Sequence, residues 1–261
     1  MNAFTNMAGN IIRLGRIGLL VILAVGAGTL SGCMDITGRG PAPLAQTIAA
    51  DRTASHLRAG RVYCMRGWLG IFSTGMDDLA DKINHEVTSI SVADEEWWRL
   101  KDFLLKQKKA GKLNEPLVLV GHSWGADDQI RVAAELAAAG IPVDLLITID
   151  PVTPPFIPPN VKRCINIYKS HPVTDAVPFW RGVAIAQSNT KVPVKNIDLR
   201  EQKVGFDTET IDHINIEKNP GVHDLVLREI RNVCPLRTAR LDSNMRAGEV
   251  VSGLPAPISA R

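Results

Sequence analysis

Residues Leu117 to Gly125, which read Leu-Val-Leu-Val-Gly-His-Ser-Trp-Gly, constrain the fold more than any other stretch of this chain. The first four residues form a continuous apolar run, which is typical of a strand buried on both faces of a sheet. The next five fit G-x-S-x-G, a tight strand-to-helix turn that exposes a serine hydroxyl at the carboxyl edge of a sheet. The following residues, 126–140, have the alanine-rich composition of a helix. This context predicts that Ser123 is a nucleophile.

Apolar runs and helical patterns alternate along the rest of the chain. Strands are predicted at 61–66, 86–92, 143–149, 164–168 and 194–199, and helices at 74–85, after Asp94 and at 222–233. Strands that alternate with helices pair in parallel through right-handed crossovers. The sequence therefore predicts an α/β fold with a mostly parallel sheet flanked by helices on both faces.

With the G-x-S-x-G turn in this setting, the chain from Arg61 to Cys234 resembles the α/β-hydrolase superfamily. The resemblance implies a catalytic serine, acid and histidine in that chain order. Many members insert a helical cap after the strand that ends at Asp150, but only about a dozen proline-rich residues separate Asp150 from Cys164. The chain therefore resembles the uncapped esterases, lipases and thioesterases, with no sizeable cap domain.

A serine needs a base to accept its proton, and His213 is the best candidate. It lies between the last predicted strand and the last predicted helix, where the family places its histidine. His223 is the main alternative, although it falls within that helix. His122, inside the turn itself, and His171, after a strand, are weaker alternatives.

Two aspartates compete for the role of the acid that orients the base. Asp150 ends a predicted strand in Ile149-Asp150-Pro151, and this placement resembles that of some lipases. Asp175 follows the next strand, which is the commoner position in the family. Asp150 is favoured because a carboxylate buried at a strand end needs a partner. The sequence leaves the alternative open.

Stabilising the oxyanion requires two N–H donors. The first is expected from Trp124, the residue after the nucleophile. The second is expected from Trp68, in Arg66-Gly67-Trp68-Leu69-Gly70, with Leu69 as the alternative. This segment resembles the His-Gly-x loop of lipases, with arginine in place of histidine.

The N-terminus has the pattern of an export signal. Arg13 and Arg16 precede an uncharged, mainly apolar stretch at 17–29, and Leu30-Ser31-Gly32-Cys33 resembles a bacterial lipobox, in which the thiol of the cysteine is lipidated. An uncleaved anchor and an ordinary cleaved signal are the alternatives. The predicted organisation is a signal peptide at 1–32, a lipidated tether at 33–60, the hydrolase domain at 61–235 and a disordered tail at 236–261. The protein is expected on the non-cytoplasmic, periplasmic side of a membrane, anchored through Cys33.

Charge and cysteine usage exclude some classes of function. The net charge of +3 is spread along the chain. No cluster of basic residues interleaved with aromatic residues stands out, so nucleic acid is not an expected partner. No metal-ligand spacing is present, so no metal or other cofactor is indicated. Cys164 and Cys234 either form a disulfide or remain buried thiols together with Cys64.

The function predicted from the sequence is a membrane-tethered serine hydrolase that cleaves a carboxylic ester or thioester through an acyl-enzyme. The expected substrate is a small-molecule or lipid ester. Two alternatives stay open. One is an envelope lipoprotein that uses the hydrolase fold as a non-catalytic binding module, and the other is an acyltransferase with the same triad.

Overall fold

The computed structural model describes residues 56–67, 73–93, 96–113, 116–171, 182–186, 188 and 190–237. Within them the strands are β1 (Arg61–Met65), β2 (Thr88–Val92), β3 (Leu117–His122), β4 (Leu145–Ile149), β5 (Cys164–Tyr168) and β6 (Val194–Asp198). The α-helices are α1 (Gly75–Asn84), α2 (Trp97–Lys109), α3 (Trp124–Ala138) and α4 (Pro220–Val233). A short 3-10 helix, Ile216–Lys218, precedes α4.

The strands form one sheet in the order β2-β1-β3-β4-β5-β6, and every neighbouring pair is parallel. The register aligns the strand ends, with Met65 beside Gly121, His122 beside Ile149, and Ile149 beside Ile167. Residues that follow these strands therefore meet at one edge. We call this edge the carboxyl edge, and the opposite edge, where the strands begin, the amino edge.

Helices cover both faces of the sheet, because each helix has one apolar side. On one face, α1 and α4 bury residues that include Met76, Leu79 and Val226 against the sheet. On the other face, α2 and α3 bury residues that include Leu104 and Ile130. All six residues of β3 are buried, as expected for a central strand, whereas β2 at the border of the sheet alternates between buried and half-buried residues. The α/β fold class predicted from the sequence, a parallel sheet flanked by helices on both faces, is confirmed.

The two ends of the described chain meet at the amino edge. Arg58 pairs with Leu236 in an antiparallel bridge, and the amide of Ala59 donates to the carbonyl of Pro235. His56 is buried, and its ring nitrogens bond to Asn84 Oδ1 and Thr88 Oγ1, each at 3.0 Å. Residues 56–60, predicted as the end of the tether, thus contact the domain.

The predicted signal peptide, Cys33 and most of the predicted tether and tail lie outside the described residues. Among the helices that the structure describes, none has the length and apolar character needed to span a bilayer.

The three cysteines of the described domain are free. Cys64, Cys164 and Cys234 are all buried, so the possible Cys164–Cys234 disulfide is not formed. Burial raises the pKa of each thiol to about 12. These residues therefore act as small apolar side chains.

Candidate active site

Ser123 lies in a strained turn between β3 and α3, with φ 56° and ψ −126°. The two flanking glycines allow this turn. A Cβ on Gly121 would lie 2.4 Å from the carbonyl oxygen of Gly125, and a Cβ on Gly125 would lie 2.1 Å from that of Arg66. A side chain at either glycine would therefore collide with neighbouring backbone. The turn holds the serine hydroxyl at the carboxyl edge.

His213 is the residue that bonds to the serine hydroxyl. Its Nε2 lies 3.0 Å from Ser123 Oγ, and it lies in the loop between β6 and the 3-10 helix. Its Nδ1 lies 3.0 Å from Asp150 Oδ2. Because a carboxylate accepts hydrogen bonds, Nδ1–H donates to Asp150, and Nε2 is left to accept the proton of Ser123. The structure thus brings Ser123, His213 and Asp150 into one hydrogen-bonded chain.

Asp150 is fully buried and directly follows β4, with φ 48°. Its two carboxylate oxygens have different partners, since Oδ1 accepts from the amide of Lys169 at 2.9 Å and Oδ2 faces His213. Gly182 packs on the carboxylate so closely that a Cβ there would lie 1.9 Å from Oδ1. The alternative acid, Asp175, lies outside the described residues.

The alternative bases are engaged elsewhere. His223 is buried in α4, where its Nε2 donates to the carbonyl of Glu217 and its Nδ1 lies 2.9 Å from Lys82 Nζ. His171 follows β5 and is exposed. His122 uses both of its ring nitrogens for partners other than the hydroxyl of Ser123.

His122 links three parts of the site. Its Nε2 lies 3.0 Å from the carbonyl oxygen of His213, and its Nδ1 lies 2.6 Å from Ser73 Oγ, which also accepts from the amide of Gly67 at 3.1 Å. Burial, followed by the nearby His213, lowers the pKa of His122 well below its usual value. The ring is therefore neutral, so Nε2–H donates to the carbonyl and Nδ1 accepts from the hydroxyl of Ser73. Sequence reasoning did not find Ser73.

Lys169 holds the loop that contains His213. Its ammonium donates to the carbonyl oxygens of Thr208, Glu209 and Ile211 at 2.7, 2.9 and 2.7 Å. Since its amide also bonds to Asp150, one residue joins the acid to the histidine loop. Sequence reasoning missed this residue. Its position directly after an apolar strand that ends beside Asp150 was the available signal.

Two carboxyl groups on elements next to the site, those of Asp127 and Glu217, are buried. Asp127, in the first turn of α3, accepts from the amide of Thr153 at 2.8 Å, and burial raises its pKa to about 7. Glu217, in the 3-10 helix after His213, is also buried, and burial raises its pKa to about 8. The Glu217 carboxyl is therefore largely protonated at neutral pH.

Of the two predicted oxyanion donors, only Trp124 belongs to the described residues. Trp124 is the first residue of α3 and directly follows the serine. Trp68 and Leu69 lie outside the described residues, but the preceding Gly67 packs against the serine, with a position for Cβ only 3.0 Å from Ser123 Cβ. The amide of Gly67 itself donates to Ser73 Oγ at 3.1 Å.

Arg66, which stands where the lipase loop has histidine, is buried. Its guanidinium forms an ion pair with Asp77 on α1, and its Nε donates to Asp77 Oδ1 at 2.8 Å. The arginine therefore anchors the start of the loop to a helix. Within the described part of the chain, no group of three or more histidine, cysteine or acidic side chains could hold a metal ion.

Comparisons with known proteins give structural neighbours without sequence relatives. No protein-family model matches the chain, and no curated protein matches it in sequence. The NocB thioesterase domain from the nocardicin cluster is similar in structure, with a TM-score of 0.41 and 14% identity over 65% of this chain and 93% of that one. The RedJ thioesterase from the prodiginine pathway of Streptomyces coelicolor gives a TM-score of 0.39 and 12% identity over 68% of this chain and 95% of that one.

Proposed function

We propose that this protein is a serine hydrolase that cleaves a carboxylic ester or thioester through an acyl-enzyme. One observation supports the proposal above all others. A continuous chain of hydrogen bonds, each 3.0 Å long, runs from Ser123 Oγ through His213 to Asp150. The strained backbone at Ser123 adds to this support, because strain of about 1–3 kcal/mol persists where function requires a side chain in that position.

The proposed reaction begins when Ser123 Oγ forms a bond to the acyl carbon while His213 Nε2 takes the hydroxyl proton. Asp150 orients the imidazole and stabilises its positive charge. When the bond to the alcohol or thiol leaving group breaks, His213 returns the proton to that group, and the acyl-enzyme remains. Water then attacks the acyl carbon with His213 as base, which releases the acid and regenerates Ser123.

The negative charge on the reacting oxygen requires N–H donors at fixed positions. We assign these to the amides of Trp124 and Trp68. The assignment of Trp124 is supported by its position directly after Ser123 at the start of α3. The assignment of Trp68 is supported by Gly67, the residue before it, which contacts Ser123 and whose amide already donates to Ser73.

We also propose that the protein is a lipoprotein, tethered through a lipidated Cys33 on the periplasmic side. The support is the sequence at 17–33, an apolar stretch that ends in a lipobox-like motif. Intact mass measurement of protein extracted from membranes tests this directly. A diacylglyceryl-sized mass increment that is lost in Cys33→Ser is expected, and a chain without it would contradict the proposal.

Fluorophosphonate labelling tests the enzyme proposal. We expect one label on Ser123, turnover of a short-chain nitrophenyl ester, and loss of both in Ser123→Ala and in His213→Gln. Ser188→Ala and His85→Gln are matched controls, since both residues are exposed and lie away from the site. A folded protein that neither labels nor turns over the ester would favour a non-catalytic binding module instead.

A further inference from the structure

The amino edge is where the chain enters and leaves the described domain. Residues 56–60 lead directly into β1, and residues 235–237 follow α4 beside them. Leu57 and Leu236, on these two paired segments, are 60% and 39% exposed. Two large apolar side chains are therefore presented to solvent at the edge opposite Ser123.

Basic charge is concentrated at the same edge. The end of α2 and the turn after it contain Lys106, Lys108, Lys109 and Lys112, and all four are exposed. None of these lysines forms an ion pair with an acidic residue that the structure describes. Lys191, exposed before β6, adds to this charge.

Two acidic residues near the ends of α1 and α3, Asp81 and Glu135, are exposed toward this edge, fewer than its five exposed lysines. The acidic residues of the described loops at this edge are paired. Glu86 already pairs with Arg58 and Arg231, and Asp144 pairs with Lys162. The carboxyl edge has the opposite character. The segment after β6 exposes Glu201, Asp207, Glu209 and Asp212 against Arg200 and Lys203. The domain is therefore polarised, with its basic end away from the candidate active site.

We propose that the amino edge docks against an anionic lipid surface and turns the carboxyl edge toward the aqueous phase. Lysines near an anionic bilayer are attracted to its surface, and this attraction is strongest at low salt. Leu57 and Leu236 would enter the headgroup region. An anionic surface would attract the amino edge and repel the acidic carboxyl edge, so both ends favour the same orientation.

The chain's own terminal segments do not have the charge to occupy this surface. Residues 34–55 contain two acidic and two basic residues, Asp35, Asp51, Arg39 and Arg52. Residues 238–261 contain Arg240, Arg246 and Arg261 against Asp242 and Glu249. Neither segment is anionic, whereas a bilayer with acidic phospholipids is.

Docking would fix the orientation of the domain on the bilayer, which the lipid anchor alone does not. This part of the inference rests on the proposed tether through Cys33. Twenty-two residues separate Cys33 from His56. At about 3.3 Å per residue such a segment can extend some 70 Å, which is enough for the domain to turn either edge toward the bilayer. With the amino edge docked, the substrate reaches Ser123 from the aqueous side. The favoured substrate is then a water-soluble ester or thioester rather than a lipid of the same bilayer.

The test uses the full-length protein reconstituted into vesicles of phosphatidylcholine alone or with about a third phosphatidylglycerol, a headgroup fraction that makes the surface strongly anionic. A fluorophore is attached at Leu57→Cys on the amino edge or at Gln202→Cys, an exposed neutral residue on the carboxyl edge. The buried native thiols, with pKa values of about 12, do not compete at neutral pH. Quenching by a headgroup-labelled lipid then reports which edge faces the membrane.

Position 57 is expected to be quenched at least threefold more than position 202 on anionic vesicles, and the difference should vanish on neutral vesicles or in high salt. Lys108→Glu with Lys109→Glu should remove it. Arg200→Glu with Lys203→Glu is the matched control, because it changes the net charge equally at the other edge and should preserve the difference.

Several outcomes would overturn the docking proposal. These are equal quenching at both positions, stronger quenching at position 202, the same result on neutral vesicles, or equal effects of the two charge reversals. Ester turnover by the same samples tests the enzyme proposal separately, since none of these residues belongs to the site. Intact mass tests lipidation separately, and an unlipidated chain can still be compared at both positions once Cys33→Ser removes its free thiol.

Discussion

The carboxyl edge and the amino edge differ in the residues that adopt a positive φ. At the carboxyl edge, three residues other than glycine, Ser73, Ser123 and Asp150, have φ values of 66°, 56° and 48°, in addition to Gly205 at 87°. Near the amino edge, chain reversals with positive φ use Gly60, Gly111 and Gly140. A positive φ favours glycine, and any other residue there has a strained backbone.

The difference shows where side chains are required. Each of the three strained residues uses its side chain in the hydrogen-bonded network around His213: Ser73 bonds to His122, Ser123 to His213, and Asp150 to His213. A Cβ added at Gly111 or Gly140 would meet no other described part of the chain within 4 Å, so these two glycines serve only the turn. At the carboxyl edge, the strained backbone therefore occurs at residues whose side chains form this hydrogen-bonded network.

The largest expected effect is that of Ser123→Gly. We expect it to reduce ester turnover by several orders of magnitude, because the nucleophile is lost. Since glycine accepts φ 56° without strain, the free energy of unfolding should stay within about 1 kcal/mol of the wild-type value or rise. Turnover assays and urea unfolding check both parts. A strongly destabilised variant would show that the strain at Ser123 is offset by contacts of its hydroxyl.

Asp150→Asn should lower the rate by about two to four orders of magnitude with little change in unfolding, because the amide cannot stabilise a protonated His213. Asp175→Asn is the matched control and should be nearly silent. The measurement is kcat/KM for a nitrophenyl ester together with a urea unfolding curve. If Asp175→Asn is the variant that loses the rate, the acid assignment is wrong while those of Ser123 and His213 survive.

Replacing glutamate by glutamine should change the stability of the fold in opposite directions at Glu217 and at Glu86 when the pH is 9. The pKa of Glu217 is raised to about 8 by burial, so the folded state holds a proton that the unfolded state loses between about pH 4.5 and 8, and stability falls as the pH rises through that window. Glu217→Gln should therefore be near neutral at pH 5 and stabilise by on the order of a few kcal/mol at pH 9.

Glu86, at the amino edge, is the comparison for Glu217. Hydrogen bonds from Arg231, with a contribution from Arg58, lower its pKa, so its ion pairs stabilise the fold above its ordinary pKa and are lost as the pH falls through the lowered value. Glu86→Gln should destabilise by about 1 kcal/mol or less at pH 7 to 9, as expected for a surface pair. Urea unfolding at pH 5 and pH 9 checks both variants, and effects of equal sign at pH 9 would contradict the assignment.

Lys169→Met should reduce kcat about ten- to a hundredfold with little change in KM, because the histidine loop loses the donor that joins three of its carbonyls, a loss of roughly 1.4–2.7 kcal/mol. Lys169→Arg should restore part of the rate. Lys203→Met, at an exposed lysine of the same edge, is the control. Unchanged kcat in Lys169→Met would show that the loop is held by its other contacts.

The smallest expected effect is at the glycines. Gly140→Ala and Gly111→Ala should each cost roughly 1 kcal/mol of stability through backbone strain alone and leave turnover unchanged. Asparagine at either position should cost less, because it tolerates positive φ better. Urea unfolding measures this ranking, and a loss of turnover in either variant would mean that the two edges are coupled.

Much of the site was predictable because its parts depend on local pattern. The G-x-S-x-G turn, the apolar strand before it and the strand ending at Asp150 each follow from a short stretch of sequence, and parallel pairing then places their ends together. The bounds of the elements were less accurate. The strand predicted at 86–92 begins at Thr88, and the helix predicted at 222–233 begins at Pro220.

The supporting residues could not be predicted because their partners are distant in sequence. Ser73 is 49 residues from His122, and Lys169 is about 40 residues from the carbonyls that it contacts. His56 is buried because the chain beside it pairs with residues after α4. No local pattern contains these relations.

The sequence by itself determined the α/β class and the glycine-flanked turn at Ser123, because hydrophobic periodicity and glycine placement act over a few residues. The expected chain order of serine, acid and histidine came from the resemblance to the α/β-hydrolase superfamily. The tertiary structure decided that Asp150 contacts His213, that His122 is a neutral bridge, and that lysines from separate segments share one edge with two exposed leucines. These features depend on which strand ends become neighbours and on which charges lose water. Burial and long-range pairing exist only once the chain has folded.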